Sequence, residues 1–222
     1  MCGRFARIVS NKKLREKYRL KEIAELEPRY NIAPTQPVAV VRAADGENEL
    51  SWLRWGLIPS WSKDATIGYK LINARAESVA EKPSFRSAFK QRRCLIPASG
   101  FYEWQKQETG RKQPYFICPH AGELFSLACL WERWHDPEGE EVETCTILTT
   151  TANELMKPIH DRMPVILDPT AERQWLDPRA SGDALQSLLV PCPAEWMEAR
   201  PVSLWVNNPK NHGPKCIEPL SA

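Results

Sequence analysis

Short apolar segments separated by turn sequences fill most of this chain, and this pattern constrains its fold more than any other feature. A β-branched run over Val38–Arg42, the turn Ala44-Asp45-Gly46 and an alternating run over Glu49–Ile58 predict a β-hairpin. Further strands are predicted over Arg93–Pro97, Gly100–Gln105, Tyr115–Cys118, Phe125–Trp131, Glu143–Thr150, Pro164–Leu167 and Val202–Val206. Because most strands follow one another in hairpins, the pattern favours an antiparallel sheet over βαβ units.

Helices are predicted to be few and short. Pro34 disfavours helix at Ala33, so a loop is expected over Arg29–Thr35. The chain contains no repeat and no flexible linker. We therefore expect one α+β domain over residues 1–222, built around a curved antiparallel sheet. Its helical segments are predicted at Ser10–Leu26, Asn73–Val79, Ser84–Arg92, Ala152–Met156, Ala171–Trp175 and Asp183–Leu189.

Composition excludes several functional classes. Lys and Arg total 30 against 28 Asp and Glu, so any nucleic-acid binding must come from a local patch rather than from overall charge. No apolar run is long enough to span a membrane, and charged residues at 12–16 interrupt any signal-peptide core, which predicts an intracellular protein without membrane association.

Seven cysteines without a CxxC pair argue against both a disulfide framework and a zinc ribbon. Cys94, Cys129 and Cys145 lie in apolar runs and are predicted to be buried.

Cys2 carries the most unusual chemistry in the sequence. If Met1 is trimmed, as is normal before a small residue, Cys2 becomes an N-terminal 1,2-aminothiol. Its amine can condense with an aldehyde, and its thiol can then close a five-membered thiazolidine ring. An α-amino group titrates near ~7.7–8.0 and a lysine near ~10.4, so the terminal amine is roughly 300 times richer in neutral base. The amine is therefore the expected first nucleophile.

Polar residues embedded among apolar ones mark further candidates. Glu103 lies within Gly100-Phe101-Tyr102-Glu103-Trp104, where it is either a desolvated general acid or base or a solvent-facing strand residue. His160 lies between two prolines and is a core, surface or catalytic histidine. Arg75 either clamps a phosphate or pairs with a carboxylate such as Glu77. No second His or Cys stands at ligand spacing, so no metal and no other cofactor is expected.

Seven short motifs in order resemble the SRAP family, the SOS response-associated peptidase domain. They are Met1-Cys2-Gly3-Arg4-Phe5, Arg29-Tyr30-Asn31-Ile32-Ala33-Pro34, Trp55-Gly56-Leu57-Ile58-Pro59, Ile72-Asn73-Ala74-Arg75-Ala76-Glu77, Arg93-Cys94-Leu95-Ile96-Pro97, Gly100-Phe101-Tyr102-Glu103-Trp104 and His160-Asp161-Arg162-Met163-Pro164. The resemblance implies an open-barrel-like sheet flanked by short helices. It also implies recognition of abasic sites in single-stranded DNA and at single-strand/double-strand junctions.

The resemblance assigns roles to the candidates. Cys2 would form a Schiff base with the opened deoxyribose and then a thiazolidine, after autoproteolytic or aminopeptidase removal of Met1. Glu103 would shuttle protons during imine formation, and His160 would assist ring opening and reversal of the crosslink. Asn73 would position the terminus and the sugar. The implied activities are covalent shielding of the lesion, self-cleavage and an abasic-site lyase.

The resemblance also implies DNA contacts by a monomeric protein. Phosphate contacts fall on Arg4 and Arg75, Thr149 would help to hold the backbone, and Pro34 and Trp104 would pack against bases. A groove for a single strand needs a stripe of cations, for which the candidates are Arg4, Arg75, Arg86, Arg92, Arg93 and Arg162. A bacterial family member has paired tryptophans after the proline that corresponds to Pro59, whereas here Trp61 is followed by Ser62. Two other functions remain open: an N-terminal-cysteine peptidase or amidohydrolase acting in trans, and a non-covalent reader of modified DNA bases.

Overall fold

The computed structural model describes residues 2–21, 23–120 and 124–220, which contain thirteen β-strands and four short α-helices. This composition confirms the predicted α+β class. The strands are β1 Phe5–Arg7, β2 Arg29–Ile32, β3 Pro37–Ala44, β4 Glu47–Trp55, β5 Asn73–Arg75, β6 Arg93–Ala98, β7 Gly100–Lys106, β8 Lys112–Pro119, β9 Phe125–His135, β10 Glu141–Thr151, β11 Arg162–Pro164, β12 Ile166–Leu167 and β13 Met197–Pro201. The helices are α1 Asn11–Tyr18, α2 Arg86–Gln91, α3 Pro169–Leu176 and α4 Gly182–Ser187.

Local sequence explains where three of the helices begin. Ser10 precedes α1 and its hydroxyl accepts from the backbone N–H of Lys13. Asp168 caps α3 in the same way, and Ser181 caps α4. Short polar side chains at this position satisfy backbone donors that a helix leaves open at its start.

Five strands of the larger sheet close into a ring in the order β10, β4, β3, β6, β9. The ring closes because β9 pairs with β10 over Glu141–Ile147. The predicted curved, mostly antiparallel sheet is thus confirmed. The five strands of the ring form a closed barrel rather than an open one. Two pairings of β10 are parallel, with β4 and with β5.

A second sheet has the order β13, β8, β7, β1, β2 and holds the N-terminal segment. Phe5 in β1 lies opposite Phe101 in β7, and the backbone N–H of Tyr102 donates to the Arg4 carbonyl at 2.9 Å. The residues before β1 are therefore aligned with the part of β7 that carries Glu103.

One hydrophobic cluster joins the ring to this second sheet. Alternate residues of β3, Val38 and Val40, are buried in the same cluster as Cys2 and Phe5. Phe5 contacts Trp55 edge to face, with ring centroids 5.3 Å apart, and burial of such aromatic side chains contributes strongly to core stability. The predicted burial of Cys94, Cys129 and Cys145 is confirmed in this cluster.

The first predicted helix was too long. Instead of running over Ser10–Leu26, α1 ends at Tyr18. Arg19 adopts a left-handed conformation with φ 53°, and its N–H donates to the Arg15 carbonyl. A left-handed residue at this position ends the helical path.

Four other local predictions were wrong because tertiary contacts override local propensity. Asn73–Val79 begins with strand β5, paired with β10, and continues as a 3-10 turn rather than a helix. Ala152–Met156 forms turns without a helix, and the predicted loop at Arg29–Thr35 contains strand β2. The strand predicted at Val202–Val206 is a bridge at Val202 followed by a 3-10 turn, while β13 precedes it.

Gly100 is required by close packing at the start of β7. A Cβ atom at this position would lie 2.4 Å from the Phe116 ring and 2.6 Å from the Ile117 carbonyl oxygen. We expect Gly100→Ala to lower the free energy of unfolding by about 1–3 kcal/mol or more, measured by urea denaturation. Gly182→Ala is the matched control, because a Cβ there meets nothing within 4 Å. Equal effects of the two substitutions would contradict the packing argument.

Within the described ranges, no helix is both long and apolar enough to cross a membrane. Among the same residues, no group of three or more His, Cys, Asp or Glu side chains is arranged to hold a metal ion.

Candidate active site

Asn73 anchors the N-terminal segment. Its side-chain Nδ2 donates to the Cys2 carbonyl oxygen at 2.9 Å, joining residues 71 positions apart. Strand β5 fixes this side chain because Asn73 pairs with Ile147 of β10. The Oδ1 atom of Asn73 is buried and has no hydrogen-bond partner among the described residues. Asn73 therefore holds the Cys2 backbone through Nδ2, and its Oδ1 is an acceptor without a partner among the described residues.

Glu103 is a buried group whose charge acts on the Cys2 thiol. It is only 4% exposed, so the buried alternative holds and the solvent-facing one does not. Burial, and then the negative charge of Glu103, raise the pKa of the Cys2 thiol to about 12. The thiol is consequently neutral near pH 7, and the charge of Glu103 contributes to keeping it protonated.

His160 lies on the loop that follows β10. Its side chain is 29% exposed, which places it at the edge of the core. Its Nδ1 lies 3.0 Å from the backbone nitrogen of Arg162 and 2.7 Å from Asp161 Oδ1. Nδ1 is the acceptor in the first contact, whereas the second would need a hydrogen on Nδ1, so a single tautomer satisfies only one of them.

The His160 loop adjoins the strand that carries Glu103. The side chain of Gln105, two residues after Glu103, donates to the Pro158 carbonyl at 2.9 Å. Ile159, next to His160, belongs to the same hydrophobic cluster as Cys2. The fold thus brings the four catalytic candidates, Cys2, Asn73, Glu103 and His160, to neighbouring elements.

Three adjacent strands, β5, β10 and β11, carry the predicted backbone-binding residues. Arg75 is exposed. Thr149 is fully buried, and its carbonyl accepts from Arg162 at 2.5 Å. Arg162 also makes a two-pronged ion pair with Glu77, which lowers the pKa of that carboxyl group through hydrogen bonding. Of the two arginines predicted to bind the DNA backbone here, Arg75 is exposed, whereas Arg162 is held in place by Glu77.

Arg4 and Trp104 contact the C-terminal part of the chain. Arg4 Nη1 donates to Asn31 Oδ1 at 2.7 Å and to the Val206 carbonyl at 2.9 Å, and burial lowers the pKa of its guanidinium. The Arg4 guanidinium lies 5.9 Å from the Trp104 ring centroid. Trp104 Nε1 donates to Asn207 Oδ1 at 2.8 Å. Pro34, the other predicted base contact, is half-buried after β2.

The proposed cationic stripe is not continuous. Arg93 is buried and donates to four backbone carbonyls, including those of Trp175 and Asp177. Arg92 pairs with Glu132 at 2.8 Å, whereas Arg86 is exposed. The prediction for Arg93 was wrong because its guanidinium satisfies carbonyls at helix ends.

The segment around Ser62 differs from a paired-tryptophan arrangement. Trp61 is 58% exposed, so it remains available for contacts. The Ser62 carbonyl accepts from Trp134 Nε1 at 2.7 Å, which holds the loop against β9.

Sequence reasoning assigned no role to Asn31, which the structure places at a junction. It is fully buried, and its Nδ2 donates to the carbonyls of Val206, Asn208 and Asn211. The signal available in the sequence was a lone amide between Tyr30 and Ile32. Its partners lie about 180 positions away, so the pattern alone could not reveal them.

A cleft of about 720 Å³ lies elsewhere, between α1, α3 and the β3–β4 turn. Charged residues of both signs line it, among them Lys17, Arg93 and Glu172. None of the four catalytic candidates, all within the described ranges, belongs to its lining. The catalytic candidates therefore lie outside this cleft.

The raised pKa of Cys2 predicts an unusual alkylation profile. We expect its reaction with iodoacetamide to accelerate with pH without levelling off near 9.0, the ordinary value, because the thiol titrates at about 12. Mass spectrometry of the N-terminal peptide would isolate Cys2 from the other thiols. An unfolded peptide of residues 1–5 should level off near the ordinary value, and the same plateau in the folded protein would contradict the burial argument.

The fold and the site together define an α+β protein with a cysteine near its start whose carbonyl accepts from an amide side chain and whose thiol is affected by the charge of a buried carboxylate. A sequence model of SOS response associated peptidase (SRAP) matches residues 1–209. The chain therefore belongs to the SRAP family, as its motifs predict.

Named relatives and a solved structure agree with this assignment. The chain is 48% identical to the abasic site processing protein YoqW of Bacillus subtilis, over 98% of this chain and 99% of the relative. It is 34% identical to the abasic site processing protein YedK of Escherichia coli, over 99% and 100% of the two chains. A crystal structure of a protein from Bacteroides thetaiotaomicron superposes with a TM-score of 0.90 at 30% identity, covering 99% of this chain and all of that one.

Proposed function

We propose that this protein processes abasic sites in single-stranded DNA, including those at single-strand/double-strand junctions, by forming a covalent thiazolidine through Cys2. The names of its relatives support action on abasic sites. The covalent step is supported by the chemistry of an aminothiol, which no internal residue possesses. We propose further that it acts inside the cell, as a monomer.

One observation carries the proposal. Asn73 fixes the Cys2 carbonyl, and the charge of the buried Glu103 bears on the Cys2 thiol. A frayed N-terminus would have neither contact. An aldehyde brought to this point would meet an amine, a thiol and a carboxylate in fixed positions.

The proposed steps balance without an added reagent. The Cys2 amine attacks C1′ of the ring-opened deoxyribose and forms a carbinolamine, which loses water to give an imine. The thiol sulfur then bonds to the imine carbon, and its proton passes to the imine nitrogen. The amine acts first because the sulfur adds to the carbon of the imine that the amine has formed.

The remaining candidates have distinct proposed roles. Glu103 transfers protons during carbinolamine dehydration and ring closure. His160, at the edge of the core, promotes opening of the sugar ring and, in reverse, release of the crosslink. Asn73 positions the terminus, and its Oδ1 accepts a hydrogen bond from the amine or from a hydroxyl of the sugar. A Schiff base that undergoes β-elimination before ring closure would produce the lyase activity.

The proposed DNA contacts extend from this point. Arg75, which is exposed, binds a phosphate directly. Arg4 and Arg162 contribute positive charge from positions fixed by Asn31 and Glu77. The Thr149 carbonyl accepts a hydrogen bond from Arg162 and so helps to position its guanidinium. Trp104 and Pro34 pack against bases.

Removal of Met1 is a condition of the proposal, and Met1 lies outside the described residues. A retained Met1 would convert the Cys2 amine into an amide and block imine formation. Intact mass measurement reports the removal directly. We propose self-cleavage or an aminopeptidase as its cause.

A denaturing gel tests the proposed function. The processed protein is incubated with a single-stranded oligonucleotide that carries one abasic site, and a matched undamaged oligonucleotide serves as the control. A covalent band with the damaged strand alone is the expected result. Peptide hydrolysis in trans without that band would favour the peptidase, and tight non-covalent binding without it would favour the reader of modified bases.

A further inference from the structure

The C-terminal segment, residues 203–216, lies directly beside the proposed DNA site. Its Val206 carbonyl accepts from Arg4, two residues after Cys2. Its Asn207 side chain accepts from Trp104, the residue after Glu103. The segment therefore contacts residues that lie close in sequence to Cys2 and Glu103.

Hydrogen bonds and burial hold the segment in one position. Asn31 donates to the carbonyls of Val206, Asn208 and Asn211 at 3.2, 3.0 and 2.9 Å. Asn211 in turn donates to the Trp205 carbonyl at 2.7 Å. The Val206 and Cys216 side chains are fully buried in a cluster with Tyr102. Side chains that point outward from this segment are consequently presented from a fixed backbone.

Two of those outward side chains are large and apolar. Leu204 is 60% exposed and Trp205 is 40% exposed. The Lys215 ammonium lies 4.5 Å from the centroid of the Trp205 ring. The segment contains Lys210 and Lys215 and no acidic residue. An exposed indole with a lysine ammonium beside it is an arrangement that binds single strands through base stacking and phosphate attraction.

We propose that Trp205 and Lys215 form an additional binding surface for the single-stranded DNA that flanks the lesion. A base stacks on the exposed part of the Trp205 ring, and the adjacent phosphate lies near Lys215. This inference rests on the proposed function, because it extends the same site. Its consequence is a preference for strands long enough to reach from Cys2 to the C-terminal segment.

Strand length provides the test. Crosslinking is measured against DNA concentration with a short abasic oligonucleotide, about 3 nucleotides on each side of the lesion, and a long one, about 12 on each side. We expect Trp205→Ala to raise the half-saturating concentration roughly ten-fold for the long strand, with no change in maximal rate and no change for the short strand. Lys215→Ala should reduce the salt dependence of binding to the long strand by about one unit of slope.

Trp196→Ala is the matched control, because Trp196 is also exposed, at 37%, and lies outside the segment. Equal half-saturating concentrations for the Trp205→Ala and Trp196→Ala proteins would overturn the proposal. A defect that appears together with a change in oligomeric state by gel filtration would assign the surface to self-association instead. Trp205→Phe keeps an aromatic ring and should restore affinity, which separates stacking from misfolding.

Failure of this inference is distinguishable from failure of the proposed function. If the wild-type protein forms no covalent product with either strand, the proposed chemistry is wrong. Fluorescence anisotropy with an undamaged long strand then still reports whether Trp205→Ala weakens non-covalent binding. A normal covalent product with unaltered anisotropy in that variant would overturn the inference alone.

Discussion

Cys2→Ala is expected to abolish the covalent product that survives denaturation. Alanine is also small, so removal of Met1 and exposure of an α-amine are retained. The variant can still form an imine, but it has no sulfur to close the ring, and an imine hydrolyses under denaturing conditions. The loss should be complete, because an intramolecular thiol can reach an effective concentration of roughly 10⁵ M that added thiol cannot match.

Reductive trapping separates the two nucleophiles in this experiment. With cyanoborohydride present, Cys2→Ala should again yield a covalent band, because the reagent reduces the imine to a stable amine. A variant with an extra residue before Cys2 should give no band under either condition, since its reactive amine is displaced. A stable band from Cys2→Ala without reductant would show that another group of the chain forms the linkage.

Glu103→Gln is expected to slow crosslinking by about 10²- to 10⁴-fold, the usual contribution of a positioned proton-transfer group. Glutamine keeps the size of the side chain and can occupy the same buried position, but it cannot act as a general acid or base. The rate is measured by single-turnover kinetics with excess protein. Affinity for an undamaged strand should change little, because the proposed role of Glu103 lies in chemistry.

The Cys2 thiol provides an independent readout of the same substitution. The charge of Glu103 raises the pKa of Cys2, so Glu103→Gln should lower that pKa from about 12 and speed alkylation at a given pH. Glu172→Gln is the matched control, since Glu172 is also buried but bonds to Lys17 and Ser126 away from the site. Loss of crosslinking in both variants to the same degree would indicate a general loss of folding.

Hairpins were predictable because their determinants are local. The turn Ala44-Asp45-Gly46 places Asp45 at φ 51° and Gly46 at φ 82°, conformations that these residue types tolerate well. The flanking runs then pair residue by residue as β3 and β4. The starts of α1, α3 and α4 were similarly close to their predicted positions, because short polar caps act on their own neighbours.

Elements whose stability comes from distant partners were not predictable in this way. The segment Asn73–Arg75 has a helical pattern, yet it is a strand because it pairs with Ile147–Thr149. Closure of the ring depends on β9 meeting β10 while β10 also meets β4, which no local pattern encodes. The same limit hid the role of Asn31, whose acceptors lie near the end of the chain.

By itself, the sequence determined the chemistry of Cys2, the order of the apolar segments and the motifs that place the chain in its family. Those properties depend on residue identity and near neighbours. Only the tertiary structure decided that Asn73 reaches the Cys2 carbonyl, that Glu103 is buried with its charge acting on the thiol, and that the C-terminal segment lies beside Trp104. These contacts join residues far apart in sequence, and they form because the two sheets bury a shared core that brings their strands together.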